Sequence, residues 1–451
     1  MNKFHFFFLL IEITIEIEKK IVILPITKYI TKTNLNTPEE IIKDLLDNSY
    51  LSINLEIGSP IQKIPLYLNF EKYPISLAGP NINVNIKYDN TISKSSYVNE
   101  SNHFDYNGEK FKRGRLSYDN INLINYDLKN KNNLGKNFEV EKLNFVLTTE
   151  QKGKESGILG LSVEEIYPGN NLKNYNFINQ LKKKDIISSY IFTIKFFEDK
   201  EEGQLIIGDY PHNYDKKNYD ENNYKYFYAR ERANIVRWDI LFDSIYSSNE
   251  IVNKDSHTAL LIESGIIQSF YEYKNIIDKQ FFNDKIGKSC FMGKYTILET
   301  FYYYYCKKDV DLSNFPNLNF EIKSFDYNMT LTYKELFKLV NDKYIFLVLI
   351  PDSVSYSYWI LGEPFFRKNQ LIFNTDNKVI GFYNGKGNKK SDSFSFIHNR
   401  TFWIFMVILA FGVIIYLVRY IYLFYHKKVK RQLAKELIED CSNDGYNKLG
   451  V

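Results

Sequence analysis

Apolar and polar residues alternate most regularly over Tyr50-Leu51-Ser52-Ile53-Asn54-Leu55-Glu56-Ile57. A period of two over that length predicts a strand with one buried face. The turn Gly58-Ser59-Pro60 and a second extended run over 64–68 complete a β-hairpin that delivers a short loop at 69–73. Short strands dominate from there to about residue 385. Helical spacing is confined to 38–46 and 176–183. The first of these helices has Thr37 as N-cap, Pro38 in its first turn, and Glu39 and Glu40 at its positive end. The two ends of the chain break the pattern. Residues 4–11 are apolar after Lys3, which predicts a secretory signal over 1–17. Residues 402–418 are an unbroken apolar run, and with the aromatic continuation to Tyr425 they predict a helix over 401–425 crossing a hydrocarbon core of about 30 Å. Trp403, Tyr420, Tyr422 and Tyr425 fit the two interfaces, and Lys427, Lys428, Lys430 and Arg431 favour the cytosolic side. The expected topology is a single-pass type I protein of the secretory pathway, endolysosomal or at the cell surface, with its lipid-bilayer contact through that helix and a tail over 426–451.

Length and composition change this picture only by exclusion. The 451 residues, 44% hydrophobic and 25% charged, suit two globular domains plus appendages. A net charge of +4 is small for this size and gives no reason to expect nucleic acid. Six scattered histidines, with no His-Glu-x-x-His and no Cys-x-x-Cys, argue against a metal, and no cofactor is expected. A Gly-x-Ser-x-Gly elbow and a phosphate-binding glycine loop are also missing. Of three cysteines, Cys290 and Cys306 precede the expected span and Cys441 follows it. Two thiols on an oxidising side suit one Cys290–Cys306 disulfide, the other arrangement being two buried free thiols. Asn99-Glu100-Ser101, Asn328-Met329-Thr330 and Asn399-Arg400-Thr401 are acceptor triplets. Asn99 and Asn328 are expected to carry glycans, while Asn399 lies too near the bilayer.

Several motifs in a fixed order carry a resemblance. Gly58-Ser59-Pro60-Ile61-Gln62 precedes the first loop. Ser156-Gly157-Ile158-Leu159-Gly160-Leu161 and Gly203-Gln204-Leu205-Ile206-Ile207-Gly208 follow, and then Trp238-Asp239-Ile240. Near the end come Trp359-Ile360-Leu361-Gly362-Glu363-Pro364-Phe365-Phe366-Arg367 and Val379-Ile380-Gly381-Phe382. In this order they resemble the pepsin-like aspartic proteases over residues 50–385. The resemblance implies an all-β dominated, bilobal fold around a peptide cleft, with lobes at 50–215 and 216–385 and a linker at 386–400. Segment 18–49 resembles the family's pro-segment in position, and Tyr106 resembles its flap tyrosine.

The family's chemistry needs two aspartates, and neither is here. Asn69-Phe70-Glu71 stands where the pattern has Asp-Thr-Gly, and Glu263-Ser264-Gly265 stands at the second position. The dyad works because two close carboxylates share a proton. An amide is neither acid nor base near working pH. The extra methylene of Glu263 displaces its carboxylate by more than about 1 Å, and misplacement on that scale costs roughly a hundredfold in rate. Phe70 cannot brace the loop by a hydrogen bond, and Glu71 loses the close approach that glycine permits. Glu71, two residues along a tight loop, is not expected to serve as a substitute acid. The expectation is a pseudoprotease that binds a peptide or protein ligand, with Tyr106, Phe70, Glu71, Ser264 and Gly265 as binding residues. The alternatives are an active aspartic endopeptidase with an atypical dyad, or a structural surface protein with a blocked cleft.

Overall fold

The computed structural model describes residues 20–29, 35–47, 50–105, 111–124, 137–151, 155–163, 172–197, 200–232, 235–296, 299–353, 358–384 and 415–435. The expected signal segment, Tyr106, Asn399 and Cys441 lie outside these residues. The chain divides into two compact units, residues 1–387 and 388–451.

Among the described residues the first unit is built on two large sheets and one two-stranded ribbon. The hairpin Tyr50–Ile57 and Gln62–Asn69 forms as the alternation requires, pairing Ile57 with Gln62 and Ser52 with Tyr67. Leu51, Ile53, Leu55 and Ile57 are buried while Asn54 is exposed. Gln62–Asn69 runs parallel to Gly157–Gly160, with Asn69 opposite Gly160. In the second sheet Glu250–Leu260 runs parallel to Trp359–Leu361, with Leu260 opposite Leu361. Each candidate loop therefore leaves a strand whose neighbour is an Ile-Leu-Gly strand.

Two features of the first sheet fall outside the sequence-based divisions. Val22–Tyr29, expected in a pro-like segment, is inserted between Gly203–Ile207 and Tyr50–Ile57, pairing Val22 with Ile207 and Ile26 with Ile53. It belongs there because Val22, Ile23, Leu24 and Ile26 are all buried in that position. Tyr224–Tyr228, Ile372–Asn374 and Val379–Tyr383, all beyond the expected boundary at 215, join the same sheet through Ile191–Phe196. The register sets Phe373 opposite Phe192, whose rings stack at 4.9 Å.

The expected helices form. Pro38–Asp47 starts with a reciprocal cap: Glu40 N–H donates to Thr37 Oγ1 at 3.2 Å, and Thr37 N–H donates to Glu40 Oε2 at 3.0 Å. Phe177–Lys183 is capped by Asn176, whose side chain accepts from Asn179 N–H.

In the second unit residues 415–435 are one helix. It contains Arg419, Lys427, Lys428, Lys430, Arg431 and Lys435, and no helix of the described residues is long and apolar enough to cross a membrane. The span expected over 401–425 is thus not found among them, and residues 401–414 lie outside them. The helix instead continues through the basic cluster expected in the tail, since Lys, Arg, Gln, Leu and Ala all favour helix.

Cys290 and Cys306 face each other across the Cys290–Thr296 and Thr300–Lys307 hairpin and are joined in a disulfide, both fully buried. The bridge closes a loop at a sequence separation of 16. In the chain-entropy description such a loop stabilises a fold by about 3 kcal/mol. The Cys290→Ala/Cys306→Ala double variant should therefore unfold at lower denaturant by that amount, read by equilibrium denaturation of the full chain. An unchanged midpoint would remove the bridge from the stability account.

Candidate functional site

The first loop packs on a glycine. A Cβ added at Gly160 would lie 2.6 Å from Lys72 O and 2.7 Å from Pro74 O, so only glycine lets the loop settle on its neighbouring strand. The second loop repeats this. A Cβ at Gly362 would lie 2.3 Å from Ser264 O and 2.4 Å from Ile266 O. Backbone bonds complete both seats: Leu161 N–H donates to Asn69 O at 2.8 Å, and Glu363 N–H to Ser264 O at 2.7 Å.

Asn69 Oδ1 accepts from Glu71 N–H at 2.9 Å and from Lys72 N–H at 2.7 Å. The amide oxygen closes the turn, as a carboxylate oxygen would, but it brings no titratable proton. Glu263 reaches the other loop, where its Oε2 accepts from Phe70 N–H at 3.2 Å. Ser264 turns inward, donating from Oγ to Ile266 O at 2.7 Å. The two loops are therefore in direct contact, with one carboxylate between positions 69 and 263.

Phe70 turns inward. It is 3% exposed, with its ring edge-to-face on Phe373, Phe366 and Phe192 at centroid distances of 4.9, 5.5 and 6.0 Å. Expected as a binding residue, Phe70 is placed by the structure in this aromatic floor. Trp238 joins the same floor and donates from Nε1 to Leu161 O at 2.6 Å.

Gly265 is also engaged from within the chain. Its N–H donates to Leu45 O at 3.1 Å, at the end of helix Pro38–Asp47. Ile41, Ile42 and Leu45 of that helix cluster with Ile266, Leu347 and Leu349, whereas Val348 and Ile350, which alternate with the two leucines, face the main core. The helix thus covers the second face of Val348–Pro351, beside the second loop. Among the described residues no group of three or more His, Cys, Asp or Glu is placed to hold a metal ion.

Comparison with known proteins identifies the family. The eukaryotic aspartyl protease family model matches residues 77–384, more than half of the chain. The chain belongs to the eukaryotic aspartyl protease family. The matched stretch starts after the first loop and includes the second. Cathepsin D of Mus musculus is 25% identical over 408 residues, covering 80% of this chain and 87% of the relative. Among solved structures, conglutin gamma, a basic 7S globulin from lupine seeds, superposes with a TM-score of 0.57 at 11% identity. That match covers 82% of this chain and 96% of the globulin, and it concerns the fold alone.

Where the family pattern has glycine, Glu71 crosses to the opposite lobe. Its Oε1 lies 2.9 Å from Arg237 Nη1 and 3.8 Å from Arg232 Nη2. Arg232 Nε is 3.0 Å from Asp239 Oδ2, and its guanidinium lies over the Tyr358 ring at 4.9 Å. Neither arginine was among the residues expected from sequence. One signal could have found them: alternation in Arg230-Glu231-Arg232 and Ile235-Val236-Arg237 sets Arg230, Arg232 and Arg237 on one face of the ribbon these strands form.

Asp239 has a pH signature. Burial pushes its carboxyl up to about 6 against the pull of Arg232, Arg237 and His257, with Glu71 adding to the rise. Between its ordinary value near 3.8 and about 6, the folded chain holds a proton that the unfolded chain has released. Stability therefore falls as pH rises through that window. Burial would also raise Glu201, but Lys28, Lys338 and Arg367 outweigh it and pull the carboxyl down to about 2, so Glu201 acts only below its ordinary 4.5. Between pH 4.5 and 6.5 Asp239 should add about 2 kcal/mol of stability on acidification, and Asp239→Asn should flatten that slope. Thermal melts of both proteins across the window check this, and equal slopes would refute it.

Proposed function

We propose that this chain is a non-catalytic member of the aspartyl protease family that acts by binding a peptide or protein. One observation carries the reading. Position 69 offers an amide whose oxygen already closes its own loop, and the only carboxylate at the two family positions, Glu263, is bonded to a backbone N–H of the other loop. Proton sharing between two carboxylates is not available to that arrangement. The helix on the second loop supports the same reading, because it already engages Gly265. Binding then falls to the first-loop side, where Glu71 is 39% exposed.

The full chain in detergent, incubated with a protein substrate and a peptide library from about pH 3 to pH 7, should show no cleavage sensitive to a transition-state inhibitor of aspartic proteases. Losing one member of a cooperating pair costs on the order of 10⁴ or more in rate. Asn69→Asp alone should restore nothing, since Glu263 stays tied to Phe70. Inhibitor-sensitive cleavage that Glu263→Ala abolishes would establish the atypical dyad instead.

The reading includes membrane anchoring through the apolar run at 402–418, with the lobes on the lumenal side. The disulfide suits an oxidising secretory compartment. Asn328 is exposed and Asn99 half-buried, so Asn328 is the better glycan acceptor. In eukaryotic secretory cells the protein should resist carbonate extraction and shift on glycosidase treatment, and Asn328→Gln should reduce the shift. A carbonate-soluble protein, or an unshifted one with its tail accessible from outside intact cells, would overturn this topology.

A further inference from the structure

We infer that Arg232 and Arg237 form a carboxylate-binding subsite beside the first loop, occupied here by the chain's own Glu71, and that it takes an acidic side chain of a peptide ligand. The inference rests on the binding reading above and adds the class of ligand.

Three features of the geometry support it. The ribbon of Arg230–Arg232 and Ile235–Arg237 pairs Arg230 with Arg237 and Arg232 with Ile235, so Arg232 and Arg237 are diagonal neighbours on one face. Two guanidiniums side by side present more N–H donors than one carboxylate can use, in the fork geometry that suits carboxylates. The donors are incompletely used: among the described residues Arg237 Nε is buried without a hydrogen-bond partner, and the same Oε1 of Glu71 is the atom nearest to both arginines.

The cations are fixed while the anion is exchangeable. Arg232 is held by Asp239, which is 4% exposed, and by the Tyr358 ring. Arg237 precedes Trp238, which is anchored in the aromatic floor. Glu71 is the most exposed member at 39%, against 24% for Arg232 and 21% for Arg237. An ion pair open to solvent in this way is weak and easily exchanged. When Glu71 swings out, Arg232 and Arg237 face Asp239 alone, and the excess positive charge attracts a second carboxylate.

The position also matters. Glu71 is two residues from Asn69, and its N–H is bonded to the Asn69 side chain. A peptide lying along the first loop would bring a side chain to the place Glu71 now fills. In this family member, recognition of an acidic residue has taken the position that the family pattern keeps clear with glycine.

The test uses full-length protein in detergent and fluorescence anisotropy with short amidated peptides, in which one Glu is moved through an otherwise uncharged sequence. Each peptide has a Gln counterpart, and a free-acid peptide without Glu separates a terminal carboxylate from a side chain. Glu71→Ala should bind Glu peptides about tenfold more tightly than their Gln counterparts, and Glu71→Gln should show the same preference with the side-chain volume retained. Glu71→Ala/Arg237→Ala should lose it, with its melt checked against Glu71→Ala. Preference for the free-acid peptide alone would reassign the subsite to a chain terminus and overturn the side-chain assignment. Equal binding of Glu and Gln peptides by both Glu71 variants would overturn the subsite and leave the binding reading standing. No binding of any peptide by wild type or variants would remove both.

Discussion

The close approach of two loop backbones to two glycines is the constraint on which the rest of this molecule depends. Gly160 and Gly362 each leave room for a carbonyl within 2.3 to 2.7 Å of where a Cβ would sit. Once the first loop is seated there, the residue at its strand end must accept the loop's own N–H groups. Asn69 meets that demand as well as a carboxylate would, through one amide oxygen. The fold therefore asks for an acceptor, while the chemistry asks for a proton-exchanging acid. Asparagine satisfies the first requirement, and its amide carries no such acid.

The residues around this seat have been rebuilt to match. Phe70 adds a ring to a floor already made by Phe192, Phe366, Phe373 and Trp238. Burying such a side chain contributes roughly 1.5–3 kcal/mol, and edge-to-face ring pairs about 0.5–1.5 kcal/mol beyond it. A single partly exposed ion pair such as Glu71–Arg237 contributes on the order of 1 kcal/mol. Packing, not charge, holds the first loop down. Little of the loop's stability therefore depends on the ion pair.

The parts legible in the sequence were those with local causes. The hairpin at 50–69 and the Thr37 cap arise from alternation and short-range hydrogen bonds, while the Ile-Leu-Gly strands were read from the family resemblance. Cys290 and Cys306 were also legible, being the two cysteines before the expected span. The features that stayed hidden are set by distant partners. Phe70 looked like damage to a loop because its three ring contacts come from residues 192, 366 and 373. Glu71 gains its meaning from Arg237, 166 residues away. Val22–Tyr29 looked detachable because the strand Gly203–Ile207 that receives it lies far along the chain.

That strand and the helix after it bear on the second loop from two directions. Lys28 lies 2.8 Å from Glu363, a carboxylate only 4% exposed whose other close partner is Arg367 at 2.6 Å. The backbone of Glu363 is the donor to Ser264 O, so Lys28 steadies the residue on which the loop rests. Leu45 meanwhile accepts from Gly265, one residue further on. Without residues 20–47, Ile266, Leu347 and Leu349 would face water, Gly265 would lose its acceptor, and Glu363 would keep Arg367 as its main counter-charge. Breaking a buried ion pair commonly costs about 3–5 kcal/mol when no second cation is present. Arg367 lowers that figure, but the uncovered apolar face adds to it. In this chain residues 20–29 and 35–47 therefore support the second loop from two sides, through Lys28 at Glu363 and Leu45 at Gly265.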